Sequence, residues 1–491
     1  MGLLDLLLHP TETRAIVQYK VWRDPLNARD PNKESDSLKR CYFFLDLTSR
    51  SFSTVVQELS DELRDAVMLF YLVLRGLDTI EDDMTLPLDR KLPLLREFYT
   101  LLQQDGWNFH ESGPNEKDAL LLKEFDVVIK EFKKLKKQYQ VVITDITKDM
   151  GHGMAHYSDE TVIVTTLEEY DQYCHYVAGV VGEGLSRLFA SSGLESKKYA
   201  DLMSLSNSMG LFLQKTNITR DFREDIDDGR LFWPKDIWSK YAKDPKELTL
   251  PANREKALNC ISEMTCNALE HATDVLFYLS GLRNQSVFNF CAIPQVMAIA
   301  TMDLVFRNPQ VFERNVKIRK GKACRLIMQA TNLKEVADIF VEHARSIHAK
   351  NKPEDPNFLR ISELCGRIEQ WVADVFPAHM AASAAQEKAI SQQRKADDNQ
   401  VSVEEQKQID KDVKTVIVIV IGFWLAMGAL TLFLAWLLGA RFDLAFKDFW
   451  GKVAKVQDAV GGASTTINKV VEEVVATSAG AEAKVTDKVE L

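Results

Sequence analysis

The seven cysteines, Cys41, Cys174, Cys260, Cys266, Cys291, Cys324 and Cys365, include no pair spaced C-x-x-C, and their number is odd. That excludes a zinc ribbon and a disulfide framework, and it fits core thiols in a reducing compartment. Excess positive charge is also missing, since 61 Lys and Arg stand against 71 Asp and Glu. A diffuse nucleic-acid binder needs a basic face, so no nucleic-acid partner is expected. An anionic substrate would need local Lys, Arg or bound metal to overcome the overall repulsion. No G-x-G-x-x-G follows a strand pattern, so no Rossmann unit is expected. The lone Gly-x-Gly of "GHGMAH" (151–156) carries little weight. No internal repeat recurs at a fixed period. "MGLLDLLLHP" lacks a basic region and is interrupted by Asp5, so it reads as a poor signal peptide. Leu6 stands where a myristoylation site prefers Ser or Thr.

What is present is ordinary globular material, 46% hydrophobic and 27% charged over 491 residues, enough for a sizeable core. Helical periodicity dominates residues 1–370, as in "STVVQELSDELRDAVMLFYLVLRGL" and "NREKALNCISEMTCNALEHATDVLFYL". Alternating strand patterns are scarce, and "YQVVITDI" reads as helix. An all-α fold is expected. Residues 371–414, rich in Ala, Gln, Ser, Lys and Asp, read as a tether. Thr415 to Ala440 carry no charge over 26 residues and are apolar all round, which predicts a transmembrane helix in a lipid bilayer. Such a span near the C-terminus implies tail-first insertion, with the bulk of the chain facing the cytosol. Residues 441–491 read as an amphipathic stretch and then a disordered polar tail. "SVFNFCAIPQVMAIATM" (286–302) could pass for a second span. Its Asn289, Pro294 and Gln295, with Asp303 beyond, favour a buried helix lining an apolar cavity.

Two carboxylate clusters end otherwise apolar helices. In "LRGLDTIEDD" (74–83), Asp78, Glu81 and Asp82 share a helix face, while Asp83 points elsewhere. Tyr71, Arg75, Asp78 and Asp82 form one stripe. Like charges so placed repel, and burying them unpaired costs far more. A hard cation relieves both problems, and oxygen ligands with open positions suit Mg²⁺ beside substrate phosphates. In "QKTNITRDFREDIDDGRLFWP", Asn217, Asp221 and Asp225 are successive i, i+4 neighbours. Glu224 lies three residues from Asp221, and Arg220 adjoins them. A single acidic helix is usually a solvated face, but two such clusters facing each other would hold several Mg²⁺ ions around a diphosphate. "DIDDG" is not an EF-hand loop, no Glu-x-x-His suits a di-iron bundle, and H-E-x-x-H is absent.

The motifs "SRSFS" (49–53), "YLVLRGLDTIEDD" (71–83), "YCHYVAGVVGEGLSRLF" (173–189), "LFLQKTNITRDFRED" (211–225), "GRLFWP" (229–234), "FNFCAIPQVMAIATM" (288–302) and "VKIRKG" (316–321) are specific. Over residues 35–370 and the C-terminal anchor, the chain resembles the squalene synthase family, the farnesyl-diphosphate farnesyltransferases. The resemblance implies an isoprenoid-synthase-like helical domain around a central cavity. It implies that two farnesyl diphosphates condense head to head to presqualene diphosphate, which NADPH then reduces to squalene. It places Mg²⁺ at Asp78, Glu81 and Asp82 on one wall, and at Asp221 and Asp225 on the other. Tyr173 would remove the proton that closes the cyclopropane. Arg50, Arg75, Arg220, Lys317 and Arg319 would meet the cofactor phosphates, and Arg50, Phe52, Tyr71, Arg75 and Asn217 the substrate. Phe52, Phe288, Phe290 and Met297 would shield the carbocation from water. An endoplasmic reticulum membrane location follows from the same likeness. A phytoene-synthase-like enzyme without the reduction is the alternative, and a membrane-tethered scaffold binding a partner through its acidic patches is a further one.

Overall fold

In the computed structural model, residues 10–22, 26–158 and 164–377 are described, and they contain helices and no strand. The expected all-α fold is what these residues form. Fifteen helices organise the site. They are α1 (Pro10–Val17), α2 (Asp36–Thr48), α3 (Arg50–Gln57), α4 (Asp61–Asp82), α5 (Leu88–Leu101) and α6 (Lys137–Tyr157). Helix α7 runs through Leu167–Cys174, a π turn at His175–Gly179, and Val180–Ser192. Then come α8 (Met203–Arg220), α9 (Phe222–Asp227), α10 (Arg254–Leu269), α11 (Ala272–Ser280), α12 (Gln285–Val305), α13 (Lys320–Gln329), α14 (Leu333–Lys350) and α15 (Phe358–Val375). The predicted anchor at 415–440, its tether beyond 377 and the tail at 441–491 lie outside the described residues.

Helix α8 is the axis. Its sequence, MSLSNSMGLFLQKTNITR, has small or apolar residues on every side. A helix without a polar face is stable only when surrounded, and α7, α10, α11 and α12 surround it. Glycines set how close α7 comes. A Cβ on Gly210 would lie 2.2 Å from the Ala178 carbonyl oxygen, and one on Gly182 would lie 2.1 Å from that of Ser206. The bare backbones therefore touch, which draws the end of α8 towards α7.

Helix α4 starts with Asp61 and Glu62 in its first turn, where the helix dipole favours negative charge. It buries the apolar run from Leu63 to Leu77. Gly76 admits Phe125, whose Cε2 would be 2.6 Å from an added Cβ. Helices α5 and α6 pack along one another. Gly151 of "GHGMAH" serves that packing, since a Cβ there would meet the Leu95 carbonyl oxygen at 2.2 Å. "YQVVITDI" falls within α6, as helix.

Helix α12 is long and apolar enough to cross a membrane, yet 89% of its most apolar window is buried in protein. It is the cavity-lining core helix its polar residues suggested. Gln295 Nε2 donates to the Met209 carbonyl at 2.9 Å, and Asp303 accepts from His343 at 2.7 Å. Helix α15 runs through Val375, five residues into the segment read as tether. Ile361, Leu364, Cys365, Ile368 and Val372 are all buried, a stripe at helical spacing that continues past 370.

Candidate active site

Helices α4 and α8 bring their acidic C-terminal ends to one chamber of about 220 Å³, with α9 completing its wall. Its lining includes Asp78, Glu81 and Asp82 from α4, Asn217 from α8, Asp221 from the turn into α9 and Asp225 from α9 itself. The two carboxylate clusters thus face each other, 139 positions apart in sequence between Asp82 and Asp221. Tyr173 of α7 lies between them.

Burial and mutual repulsion strain this acid pair of walls. Desolvation first, eased by Arg75 and reinforced by Asp82, pushes Asp78 up to about 7. Desolvation, then Asp82 and Asp78, raises Glu81 to about 8. Desolvation, eased by Arg230, raises Asp225 to about 7. Asp83 behaves otherwise. Burial opposes its ionisation, but hydrogen bonds from Thr85 Oγ1 (2.6 Å), Thr85 N (2.9 Å) and Gly113 N (2.8 Å) hold it below the usual carboxylate range. It fastens the loop after α4 and takes no part in the chamber, as its helix phase predicted.

Arginines occupy the carboxylates. Arg220 grips Asp221 with two bonds of 2.8 and 2.6 Å. Arg75 donates to Asp118 at 2.8 Å and reaches Asp78 at 3.5 Å. Arg230 crosses the chamber from wall to wall, 3.0 Å from Asp82 and 3.5 Å from Asp225. Local chain geometry puts it there. Gly229 adopts φ +76°, which favours glycine, and the turn lets Arg230 N donate to the Asp225 carbonyl at 2.8 Å. Trp233, 1% exposed, then pins the loop to α8 through its indole bond to Ile218 O at 3.0 Å. Asn315 donates to Asp221 (2.8 Å) and Glu224 (2.6 Å). Sequence reasoning did not name Asp118, Arg230 or Asn315. Arg230 alone carried a signal, because it follows the second cluster in "GRLFWP".

Next to the acidic chamber, and sharing Val177 with it, lies an apolar cavity of about 200 Å³. Phe52, Phe189, Phe290, Tyr278 and Met209 line it, between α3, α7, α8, α11 and α12. Phe52 meets Phe290 edge-on at 5.5 Å and stacks on Tyr71 at 6.0 Å. Phe288 and Met297 are buried, but neither lines this cavity. Phe288 is two residues from Phe290 on one helix, about 200° around it, so both cannot face the same space. A third chamber, of about 420 Å³, adjoins the acidic one and shares Glu81, Tyr173, Arg230 and Phe232 with it.

Tyr173 is 6% exposed, stacked on Phe232 at 5.0 Å and edge-on to Tyr157 at 5.2 Å. Burial above all, with Glu81, Asp225 and Asp82 near, raises its phenol well above the ordinary value. His175, two residues on, turns away to Asn207 at 2.9 Å. Lys317 is exposed, and Arg319 is paired with the buried Glu12 of α1. Neither lines any of the three chambers. Arg50 falls on α3, and its side chain lies outside the described residues.

Among the described residues, no three Asp, Glu, His or Cys side chains are grouped so as to hold a metal ion by themselves. The donors are carboxylates alone, divided between two walls and raised by burial and one another. That set fits a hard cation which keeps waters and takes further oxygens from a substrate.

An all-helical cavity with opposed carboxylate walls above an apolar, aromatic floor defines a class of enzyme, and the comparisons with known proteins agree on it. The squalene/phytoene synthase family model matches residues 45–322, and the chain belongs to that family. Within it, squalene synthases are among the relatives matched. The probable squalene synthase of Neurospora crassa is 52% identical over 470 residues, covering 94% of this chain and 96% of that one. The squalene synthase of Schizosaccharomyces pombe is 55% identical over 407 residues, covering 81% and 88%. The solved complex of TcSQS with the ligand BPH1237 is similar at 42% identity and a TM-score of 0.67, covering 69% of this chain and 99% of that one.

Proposed function

We propose that the chain joins two farnesyl diphosphates head to head to presqualene diphosphate and reduces that intermediate to squalene, using Mg²⁺ and NADPH. The observation that carries this is the joining of the two carboxylate walls to an apolar, aromatic cavity. A prenyl diphosphate has the same division, an anionic head on a hydrocarbon chain.

Ionising an allylic diphosphate separates charge, so the leaving anion must be met by positive charge already in place. Bound at Asp78, Glu81, Asp82, Asp221 and Asp225, Mg²⁺ supplies that Lewis acidity. Arg75, Arg220 and Arg230 stand against these carboxylates. They are placed to transfer from carboxylate to phosphate oxygens, where guanidinium forks bind well. Phe52, Phe290 and Phe189 keep water from the cation and offer ring faces to it. Tyr173 remains a neutral phenol in its buried, acidic surroundings. It would give its own proton to released diphosphate as its oxygen takes the proton lost from the closing cyclopropane, which leaves the phenol neutral again.

The exposed Lys317 and the half-exposed Arg319 suit a cofactor phosphate. Residues 415–440 anchor the enzyme in the endoplasmic reticulum membrane, where squalene belongs. Each CH₂ kept from water is worth about 0.8 kcal/mol, so a hydrocarbon product leaves favourably only into lipid.

The test is to incubate the full chain in detergent with farnesyl diphosphate and Mg²⁺, with and without NADPH. Squalene is expected with the reductant and presqualene diphosphate without it. Release of an unreduced hydrocarbon whether or not NADPH is present would favour the phytoene-synthase-like alternative. No turnover would refute the reading.

A further inference from the structure

The third chamber has no part in the steps above. At about 420 Å³ it is the largest of the three, and Glu81, Tyr173, Arg230 and Phe232 form its partition with the acidic chamber. Glu81 is the single carboxylate among its lining residues. Three polar groups in it keep unused donors. Lys91, only 4% exposed, donates to the Glu81 carbonyl oxygen at 2.8 Å and makes no ion pair among the described residues. An ammonium has three N–H donors. The Ser158 hydroxyl is buried with no partner, and so is the Nε of Arg230, although its outer nitrogens meet Asp82, Asp225 and Asp228. The first turn of α5 also borders the chamber through Leu88, after Leu86 and Pro87, and no side chain caps that helix end. That helix end adds positive potential, although Arg90 N is already bonded to the Pro87 carbonyl and Asp89 lies in the same turn.

A buried cation, an orphaned hydroxyl, an orphaned guanidinium N–H and an open helix N-terminus in one space make an anion site. We propose that this chamber receives inorganic diphosphate, the by-product of the first condensation, and holds it apart from Asp78, Asp82, Asp221 and Asp225, none of which lines it. This rests on the prenyl-transfer reading above. The geometry separates it from a substrate site. The apolar cavity meets the acidic chamber at Val177, whereas this chamber joins it across the Tyr173 and Phe232 rings. A prenyl diphosphate whose chain fills the apolar cavity keeps its head on the acidic side. A diphosphate without a chain has no such tie to the acidic side. Moving it out would clear the carboxylates for the second ionisation.

The experiment is calorimetric titration of the full chain with inorganic diphosphate in EDTA, where the carboxylate walls repel the anion. Wild type is expected to bind one equivalent. Lys91→Met should weaken that binding by about tenfold or more, as expected for loss of a charge-assisted contact. Lys91→Arg should retain it. The wild-type titration needs no variant to fold, and absence of binding in EDTA overturns the proposal. So does equal binding by wild type and a folded Lys91→Met. If Lys91→Met weakens Mg²⁺-free binding of farnesyl diphosphate but not of inorganic diphosphate, the chamber holds a substrate head and the proposal falls. Failure of the prenyl-transfer reading would show separately, as no turnover of farnesyl diphosphate by wild type.

Discussion

Substituting Gly210 by Ala tests whether the close crossing of α7 and α8 builds the site. An added Cβ would lie 2.2 Å from the Ala178 carbonyl oxygen, 2.6 Å from its carbon and 2.8 Å from Gly179 N. All three atoms are backbone, so no rotamer change relieves them. Ordinary contact begins at 3.4 Å, so the helices must separate by about 1 Å. Overpacking of this kind costs about 1–3 kcal/mol, while the better helix propensity of Ala returns about 1 kcal/mol. A net loss of up to about 2 kcal/mol is expected by urea titration. The functional loss should be larger. Helix α8 carries Asn217 and leads into Asp221, and α7 carries Tyr173, so the displacement acts directly on reacting groups. A 1 Å misplacement can cost about 10²-fold in rate. Gly366 of α15, with nothing within 4 Å of an added Cβ, is the control. Gly366→Ala should gain up to about 1 kcal/mol and leave turnover unchanged. Wild-type stability and turnover in Gly210→Ala would refute the argument that backbone contact sets the site.

Asp78→Asn and Asp225→Asn should each lower squalene formation by orders of magnitude while circular dichroism stays helical; near-normal rates would return these residues to a structural role. Tyr173→Phe keeps the stacking on Phe232 and removes the hydroxyl, so presqualene diphosphate formation should fall sharply at nearly unchanged stability, measured by single turnover without NADPH. Burial, and then Lys215 at 2.9 Å, lowers His271 from 6.5 to about 3. The unfolded chain therefore takes up a proton that the folded one refuses between pH 6.5 and 3, so this group's contribution is intact above pH 6.5 and lost on acidification. It should amount to roughly 1–2 kcal/mol between pH 6.5 and 5, and denaturant titrations of His271→Gln should show a correspondingly flatter slope. Lys317→Ala combined with Arg319→Ala should raise the KM for NADPH and let presqualene diphosphate accumulate; a block of the first condensation at saturating NADPH would contradict their assignment.

The sequence by itself determined everything that depends on helical phase. The spacing of Asp78, Glu81 and Asp82 put them on one face and sent Asp83 away, because 100° per residue leaves no choice. Asn217, Asp221 and Asp225 followed the same rule, and the polar residues within 286–302 marked α12 as a core helix. Phase also separates Phe288 from Phe290, a distinction that reading them together as cavity residues overlooked. Tertiary structure decided which faces meet. That Asp82 and Asp225 share one arginine, that Arg75 is held by Asp118, and that Asn315 joins the second wall all depend on contacts between distant segments. Arg319 shows the same limit, since its cationic neighbourhood was legible but Glu12, more than 300 positions away, was not. Periodicity fixes the direction of a side chain relative to its own helix axis. The partner it finds depends on how close two helices can come, and here bare glycine backbones in α7 and α8 set that distance.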